Sequence, residues 1–186
     1  MFTNASLHFD IESFLGYGKP EVSGGGTSPQ LLHYGLGFTL GYKFNQNYFF
    51  GLKNEFRFVD QISDLDVSTG NFRGTYLSLA GPTFGMHFNQ WIVKVDFKLF
   101  NDFEFSNQTS SGNQVFLRKP FGWRLSVGYA FFQQFSFGLY YEYLEFQQSL
   151  DSGGGISNLD PAQDMSQVGL FMIWRPGNSP DQIPLE

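Results

Sequence analysis

Apolar and polar residues alternate with a period of two over most of the chain, the pattern of strands whose two faces meet different environments. From Tyr34 to Phe44 the even positions read Tyr, Leu, Phe, Leu, Tyr, Phe, against Gly35, Gly37, Thr39, Gly41 and Lys43 at the odd ones. Trp91, Val93, Val95, Phe97 and Leu99 alternate with Ile92, Lys94, Asp96 and Lys98. Phe121, Trp123, Leu125, Val127, Tyr129 and Phe131 oppose Gly122, Arg124, Ser126 and Gly128, and the last run offers Val168, Leu170, Met172 and Trp174. A further strand is expected over about Arg73–Phe88, with Gly81-Pro82 marking a bulge beyond which its facing is not fixed.

Short polar breaks divide these runs at Asn45-Gln46, Asn89-Gln90 and Gln133-Gln134, and Gln46, Gln90 and Gln134 stand 44 residues apart. Midway lie longer stretches rich in Gly, Ser, Asn and Asp, near residues 18–32, 59–72, 106–119 and 147–164, which read as long loops. Each beat is therefore one hairpin. Extending it reaches Phe2 and Asn178, which places both termini at the tight-turn end. A fixed period can also signal a solenoid or propeller. With one two-stranded hairpin per period, the simpler expectation is an all-β, eight-stranded antiparallel up-and-down barrel.

A soluble barrel also alternates, with its large apolar residues inside, so the question is which face is outward. Here the polar face mixes Gly, Ser and Thr with a few Lys, Glu and Arg, which suits a crowded lumen better than a solvated surface. The aromatics also sort by depth. Phe44, Tyr48, Phe88, Trp91, Phe131 and Trp174 flank the tight turns, whereas Tyr17, Tyr34, Phe58, Trp123, Tyr141 and Tyr143 lie toward the long loops. Leu, Val and Phe fill the band between. Two aromatic belts around an aliphatic band, on strands of roughly 10–13 residues, are the marks of a transmembrane β-barrel.

Composition narrows the picture. Of 186 residues 19% are aromatic, including 24 Phe, and only 15% are charged, below the roughly 25% of soluble domains. A net charge of −6 argues against nucleic-acid binding, which needs a basic face. With no cysteine there is no disulfide, thiol nucleophile or cysteine-type zinc site. No run approaches the roughly 18 apolar residues of a membrane helix. Met1 leads almost directly into patterned sequence, so no leader is expected within the chain. If Leu185-Glu186 is a cloning remnant, Met1 stands where a removed leader ended.

The alternation, the short turns at one rim, the long loops at the other and the closing Val168-x-Leu170-x-Met172-x-Trp174 resemble the small eight-stranded outer-membrane proteins of the OmpA/OmpX type. The resemblance covers residues 4–175, leaving residues 176–186 as a polar tail where the family ends at its terminal aromatic. It implies a Gram-negative outer membrane with periplasmic termini and extracellular loops. It also implies contact with the lipid bilayer and lipopolysaccharide, and recognition of the last strand by the barrel-assembly machinery. Without a following peptidoglycan-binding domain, a tethering role is not carried over.

Counting inward places Asp10, Glu12, Glu55, Asp96 and Glu142 in the lumen with Lys53, Arg57, Lys94, Lys98 and Arg124. Five acids facing five bases predict a salt-bridged plug, with a gated ion path as the alternative. Phe14, Phe100, Tyr140, Leu144 and Phe146 also count inward near the loop end, as a lid or as a pocket for a small apolar ligand. Catalysis on lipid would need a Ser activated by a His and an acid, placed at the outer leaflet. His8, His33 and His87 all count inward instead, and Ser6-Leu7-His8 reverses the His-x-Ser order of the deacylases of this fold.

Asp64-Leu65-Asp66 has no continuing series of calcium ligands, and Gly24-Gly25-Gly26 reads as loop rather than phosphate cradle. No metal and no cofactor are expected. The long loops hold Glu21, Asp60, Asp64, Asp66, Asp151, Asp160 and Asp164 against Lys19, Arg118 and Lys119. That acidic surface opposes direct contact with lipopolysaccharide phosphates except at Arg118-Lys119. The expected role is structural or adhesive, through the loops and without catalysis. A small-solute or apolar-ligand barrel mouth is the first alternative and a lipid-modifying enzyme the second.

Overall fold

The computed structural model describes residues 6–20, 30–44, 47–62, 75–99, 105–108, 114–132, 134–151 and 155–176. They form nine strands: β1 (Ser6–Pro20), β2 (Leu31–Lys43), β3 (Tyr48–Gln61), β4 (Thr75–Phe88), β5 (Trp91–Lys98), β6 (Phe105–Gln108), β7 (Gln114–Phe132), β8 (Phe135–Asp151) and β9 (Ile156–Trp174). Sequence neighbours other than β5 and β6 pair antiparallel, β5 pairs β7, and β1 pairs β9 from Ile11↔Trp174 to Pro20↔Met165, which closes a ring of eight staves. β6 is the upper piece of the fifth stave: Lys98 pairs Gly122 and Phe105 pairs Leu117, both on β7.

Alternation of the side chains follows the sequence pattern. Along β2, β3, β5 and β7 the apolar set is exposed on the outer surface and the Gly, Thr and charged set is buried within. The tight turn Asn89-Gln90 holds Asn89 at φ 52°, a left-handed conformation that asparagine tolerates best after glycine. Residues 45–46 and Gln133 of the other two predicted turns lie outside the described residues.

Three expectations are corrected. The stretches near 106–119 and 147–164 are not simply loops: β6, β7, β8 and β9 run through much of both, to Asp151 and from Ile156. The sequence shows no period of two there, because polar residues interrupt it and Val115-Phe116-Leu117 run together. Cross-strand polar contacts hold the extension, as where Gln148 Nε2 donates to Asn158 Oδ1 at 2.9 Å. Strands consequently span 4 to 19 residues rather than 10–13. Lys19, Asp60, Arg118, Lys119, Asp151, Asp160 and Asp164 accordingly lie on strands rather than in loops. Glu21, residues 24–26, Asp64, Asp66 and Phe100 fall outside the described residues.

Gly81-Pro82 makes no bulge against β3, whose register with β4 is unbroken from Tyr48↔Met86 to Val59↔Thr75. Against β5 the ladder stops at Thr83↔Asp96 and is taken up again by Leu99 N donating to Ala80 O at 3.1 Å. The gap falls where Pro82 has no N–H to offer. Facing continues through it, with Leu79, Gly81, Thr83, Gly85 and His87 all inward.

Glycines on the inner face admit large rings. A Cβ on Gly16 would stand 2.0 Å from Tyr140 Oη, and one on Gly138 would stand 2.7 Å from the Phe171 ring. Two apolar clusters result inside the barrel. Leu31, Val59, Leu79, Leu144, Phe146 and Met165 close the long-loop end, and Phe14, Phe49, Ile92, Tyr140, Phe171 and Ile173 form the second.

The outer face is apolar enough to require lipid or detergent. Leu139, 65% exposed and paired with Val127 and Leu170, stands in the middle of that band. Leu139→Arg is expected to cost about 2–4 kcal/mol of folding stability in phospholipid vesicles, read from urea titrations of tryptophan fluorescence. Ile156→Arg, on the extension beyond the ring, should change it by less than about 0.5 kcal/mol. Equal costs at the two positions would contradict the facing.

Candidate functional site: the charged lumen

Strand alternation delivers the charged side chains to one level of the interior: Glu12 from β1, Lys53, Glu55 and Arg57 from β3, Lys94, Asp96 and Lys98 from β5, Arg124 from β7 and Glu142 from β8. With Asp10, all ten charged residues predicted for the lumen are buried, none more than 2% exposed. Nine form one connected network. Arg57 grips Glu142 with two donors, Nη1 to Oε1 at 2.5 Å and Nη2 to Oε2 at 2.8 Å, and its Nε reaches Glu55 at 3.0 Å. Arg124 donates from Nε to Glu142 and from Nη1 to Glu12, both at 2.8 Å, and from Nη1 to Glu55 at 3.0 Å.

The lysines complete it. Lys53 bridges Glu12 at 2.6 Å and Asp96 at 2.8 Å, Lys98 donates to Glu55 at 2.8 Å, and Lys94 donates to Glu12. Asp10 stands apart from these, its Oδ2 at 3.1 Å from His8 Nε2. Taking so many charges out of water is tolerable only with this degree of pairing, since an uncompensated buried ion costs several kcal/mol. The arginines serve as hubs because the planar fork of donors meets several carboxylates at once.

Several participants were not legible as site residues. Thr83 Oγ1 donates to Asp96 Oδ1 at 2.5 Å, and Gln167 Nε2 donates to Glu142. Both stand at inward positions of their strands, the one signal that could have identified them. The predicted lid divides: Leu144 and Phe146 belong to the outer apolar cluster, while Phe14 and Tyr140 lie against the network. The Arg124 guanidinium sits 4.6 Å from the Phe14 ring centroid and 4.2 Å from that of Tyr140, with Arg57 5.2 Å from Phe14. These ring faces cover the cations where no further carboxylate is available.

The predicted interface aromatics Tyr17, Tyr34, Phe44, Tyr48, Trp91, Trp123, Tyr141 and Trp174 are exposed on the outer face, and Tyr143 is half-buried at an outward position. They meet in cross-strand pairs: Trp91 with Tyr129 at 5.2 Å between centroids, Trp123 with Tyr141 at 5.5 Å, Tyr34 with Phe58 at 5.7 Å. Tyr34 Oη donates to Asp60 Oδ2 at 2.9 Å, so the ring lies on the apolar surface while its hydroxyl meets a carboxylate.

His8, His33 and His87 are all buried inside the barrel. Among the described residues no group of three or more His, Cys, Asp or Glu is placed to hold a metal ion.

Known structures share this architecture. Neisserial surface protein A superposes with a TM-score of 0.57 at 13% identity, over 92% of this chain and 99% of that one. The attachment invasion locus protein Ail of Yersinia pestis gives 0.49 at 15% identity, over 90% and 98%. No family model matches the sequence, and no curated protein matches it. The likeness is one of fold: that of the small eight-stranded outer-membrane β-barrels.

Replacing Arg124 with Met removes the partner of three carboxylates and is expected to cost about 3–5 kcal/mol of stability in detergent. Adding Glu12→Gln restores the charge balance. The double variant should therefore be more stable than the sum of the single effects by about 0.5–3 kcal/mol. Denaturant midpoints of the four proteins measure this coupling, and strict additivity would mean that the two residues act separately.

Proposed function

We propose that this chain is a non-enzymatic outer-membrane barrel with a closed, ion-paired lumen, acting as a structural element and through surface contacts at its long-loop end. The observation that carries the reading is the nine-membered salt-bridge network, which fills the middle of a ring too narrow to leave a channel beside it. Above it the apolar cluster of Leu31, Val59, Leu79, Leu144, Phe146 and Met165 closes the long-loop end. That dry closure favours a plug over a solute path or an apolar-ligand mouth.

In this reading the tight turns and termini face the periplasm, and the extension of β6 to β9 stands outside the cell. The aromatic belts meet the lipid headgroups and lipopolysaccharide, and the strand ending at Trp174 carries the signal for the barrel-assembly machinery. The extracellular partner is one that the strand extension and the loops around it would bind. Catalysis on lipid is disfavoured because all three histidines point into the lumen, away from the surface where acyl chains lie.

Protein refolded in detergent is expected to run faster in SDS when unboiled, as a closed barrel does. Inserted in planar bilayers in concentrated KCl, it should show no unitary current steps. Stable steps would replace the plug by a pore, and the absence of a heat shift together with solubility free of detergent would invert the facing.

A further inference from the structure

A second polar group lines the tight-turn mouth, beneath the central network and separate from it. His8 and Asp10 on β1, Lys43 at the end of β2, His87 on β4 and Arg175 just beyond β9 face one another there. Their proximity is set by the fold. Ile11 pairs Trp174, so the next inward positions across that seam are Asp10 and Arg175. The His8 and His87 rings stand 6.4 Å apart, with Phe49 stacked on His8 at 4.1 Å and 5.6 Å from His87. His87 lies within the electrostatic reach of Arg175, Lys43, His8 and Asp10.

Arg175 is held in place rather than splayed into solvent. Its backbone N–H donates to Gln134 O at 2.9 Å and its Nη2 donates to Ser136 Oγ at 2.6 Å. Its Nε is nonetheless buried with no hydrogen-bond partner among the described residues, and so is Nε2 of His87, a side chain 4% exposed. Buried donors without acceptors are costly, so such a pair calls for a partner. Charge points to its sign. Seven bases, Lys43, Lys53, Arg57, Lys94, Lys98, Arg124 and Arg175, share the described interior with five acids, Asp10, Glu12, Glu55, Asp96 and Glu142. The two bases outside the predicted ten, Lys43 and Arg175, both stand at this mouth, and the one acid there, Asp10, meets His8 through Oδ2 while its Oδ1 has no partner among the described residues.

We propose that the tight-turn mouth is a binding site for a small oxyanion, a phosphate or carboxylate group, held by Arg175 Nε and His87 Nε2 in the field of Lys43. A guanidinium edge presents its donors at the spacing of two oxyanion oxygens, and the Nε2–H tautomer of His87 supplies another donor. A bulkier ligand would enter end-on by its phosphate or carboxylate. This site is independent of the plug, since it uses none of the nine networked side chains.

The test is a titration of the refolded protein in detergent micelles, labelled with nitrogen-15 at histidine, with inorganic phosphate, acetate or glycerol 3-phosphate at constant chloride-balanced ionic strength. The expected result is a saturable movement of the His8 and His87 ring resonances. His33, beneath the opposite apolar cluster, stays still. Arg175→Gln should weaken phosphate binding at least tenfold while keeping the heat shift of a closed barrel, and His87→Gln serves if that variant fails to fold. Glycerol 3-phosphate binding as well as phosphate marks an end-on site for larger phosphoesters, and phosphate or acetate alone marks a free-ion site. Non-saturating shifts, equal movement of His33, or an unchanged titration in Arg175→Gln would overturn the proposal.

Discussion

A sheet with an apolar outer face cannot leave its backbone amides to water, so every N–H and C=O in that zone must be paired within the sheet. Closure of β1 on β9 meets this constraint, and much of the rest of the molecule follows from it. A ring of eight tilted staves encloses little more than the volume of its own side chains. The inner face must therefore be filled to high density by residues that alternate with the lipid-like outer ones. Rings such as Tyr140 and Phe171 fit because glycine faces them across the lumen wall. The backbone donor missing at Pro82 falls against β5, and the ladder is taken up again by the pair Leu99 and Ala80.

An apolar filling would serve stability as well as an ionic one, because burial of charge roughly cancels what pairing returns. The ionic filling has a different effect. In a period-two structure a slip of one residue turns every inward side chain outward. Such a slip of β3 or β5 would set Lys53, Glu55 and Arg57, or Lys94, Asp96 and Lys98, against the hydrocarbon. Charges from five staves, joined through Arg57 and Arg124, thus tie the register of each strand to the others. We regard the network first as a device that selects one closure.

The barrel was legible because lipid and lumen impose opposite demands on alternate residues, and Trp91 to Leu99 or Phe121 to Phe131 display that contrast with Ile92 and Ala130 as the apolar residues on the inward side. The same rule placed all ten luminal charges, although it could not show that Asp10 would bond to His8 instead of joining the others. Legibility failed where the contrast fades. Residues 114–120 and 147–151 continue as strands although their sequence does not alternate, since backbone pairing alone sustains a hairpin. Proline misled in the opposite sense: Pro82 resembles a break, yet one missing donor in a closed ladder is absorbed locally. Arg175 escaped notice because it follows the last alternating residue, and only the register across the seam turns it inward beside Asp10.

The two ends of the lumen differ in chemistry, and this decides how a solute could approach the plug. At the long-loop end six apolar side chains pack together, and none of the six is more than 1% exposed. An ion arriving there meets a layer that offers neither charge nor hydrogen bond in exchange for its hydration. At the tight-turn end it meets Lys43, His8, Asp10, His87 and Arg175, with buried polar atoms on the last three that have no partner among the described residues. Beyond that vestibule both signs of charge are already paired, so an ion of either sign finds no unpaired charge deeper in the network. The two ends of the lumen thus present opposite surfaces to a solute, an apolar layer at one and a polar, mostly basic one at the other.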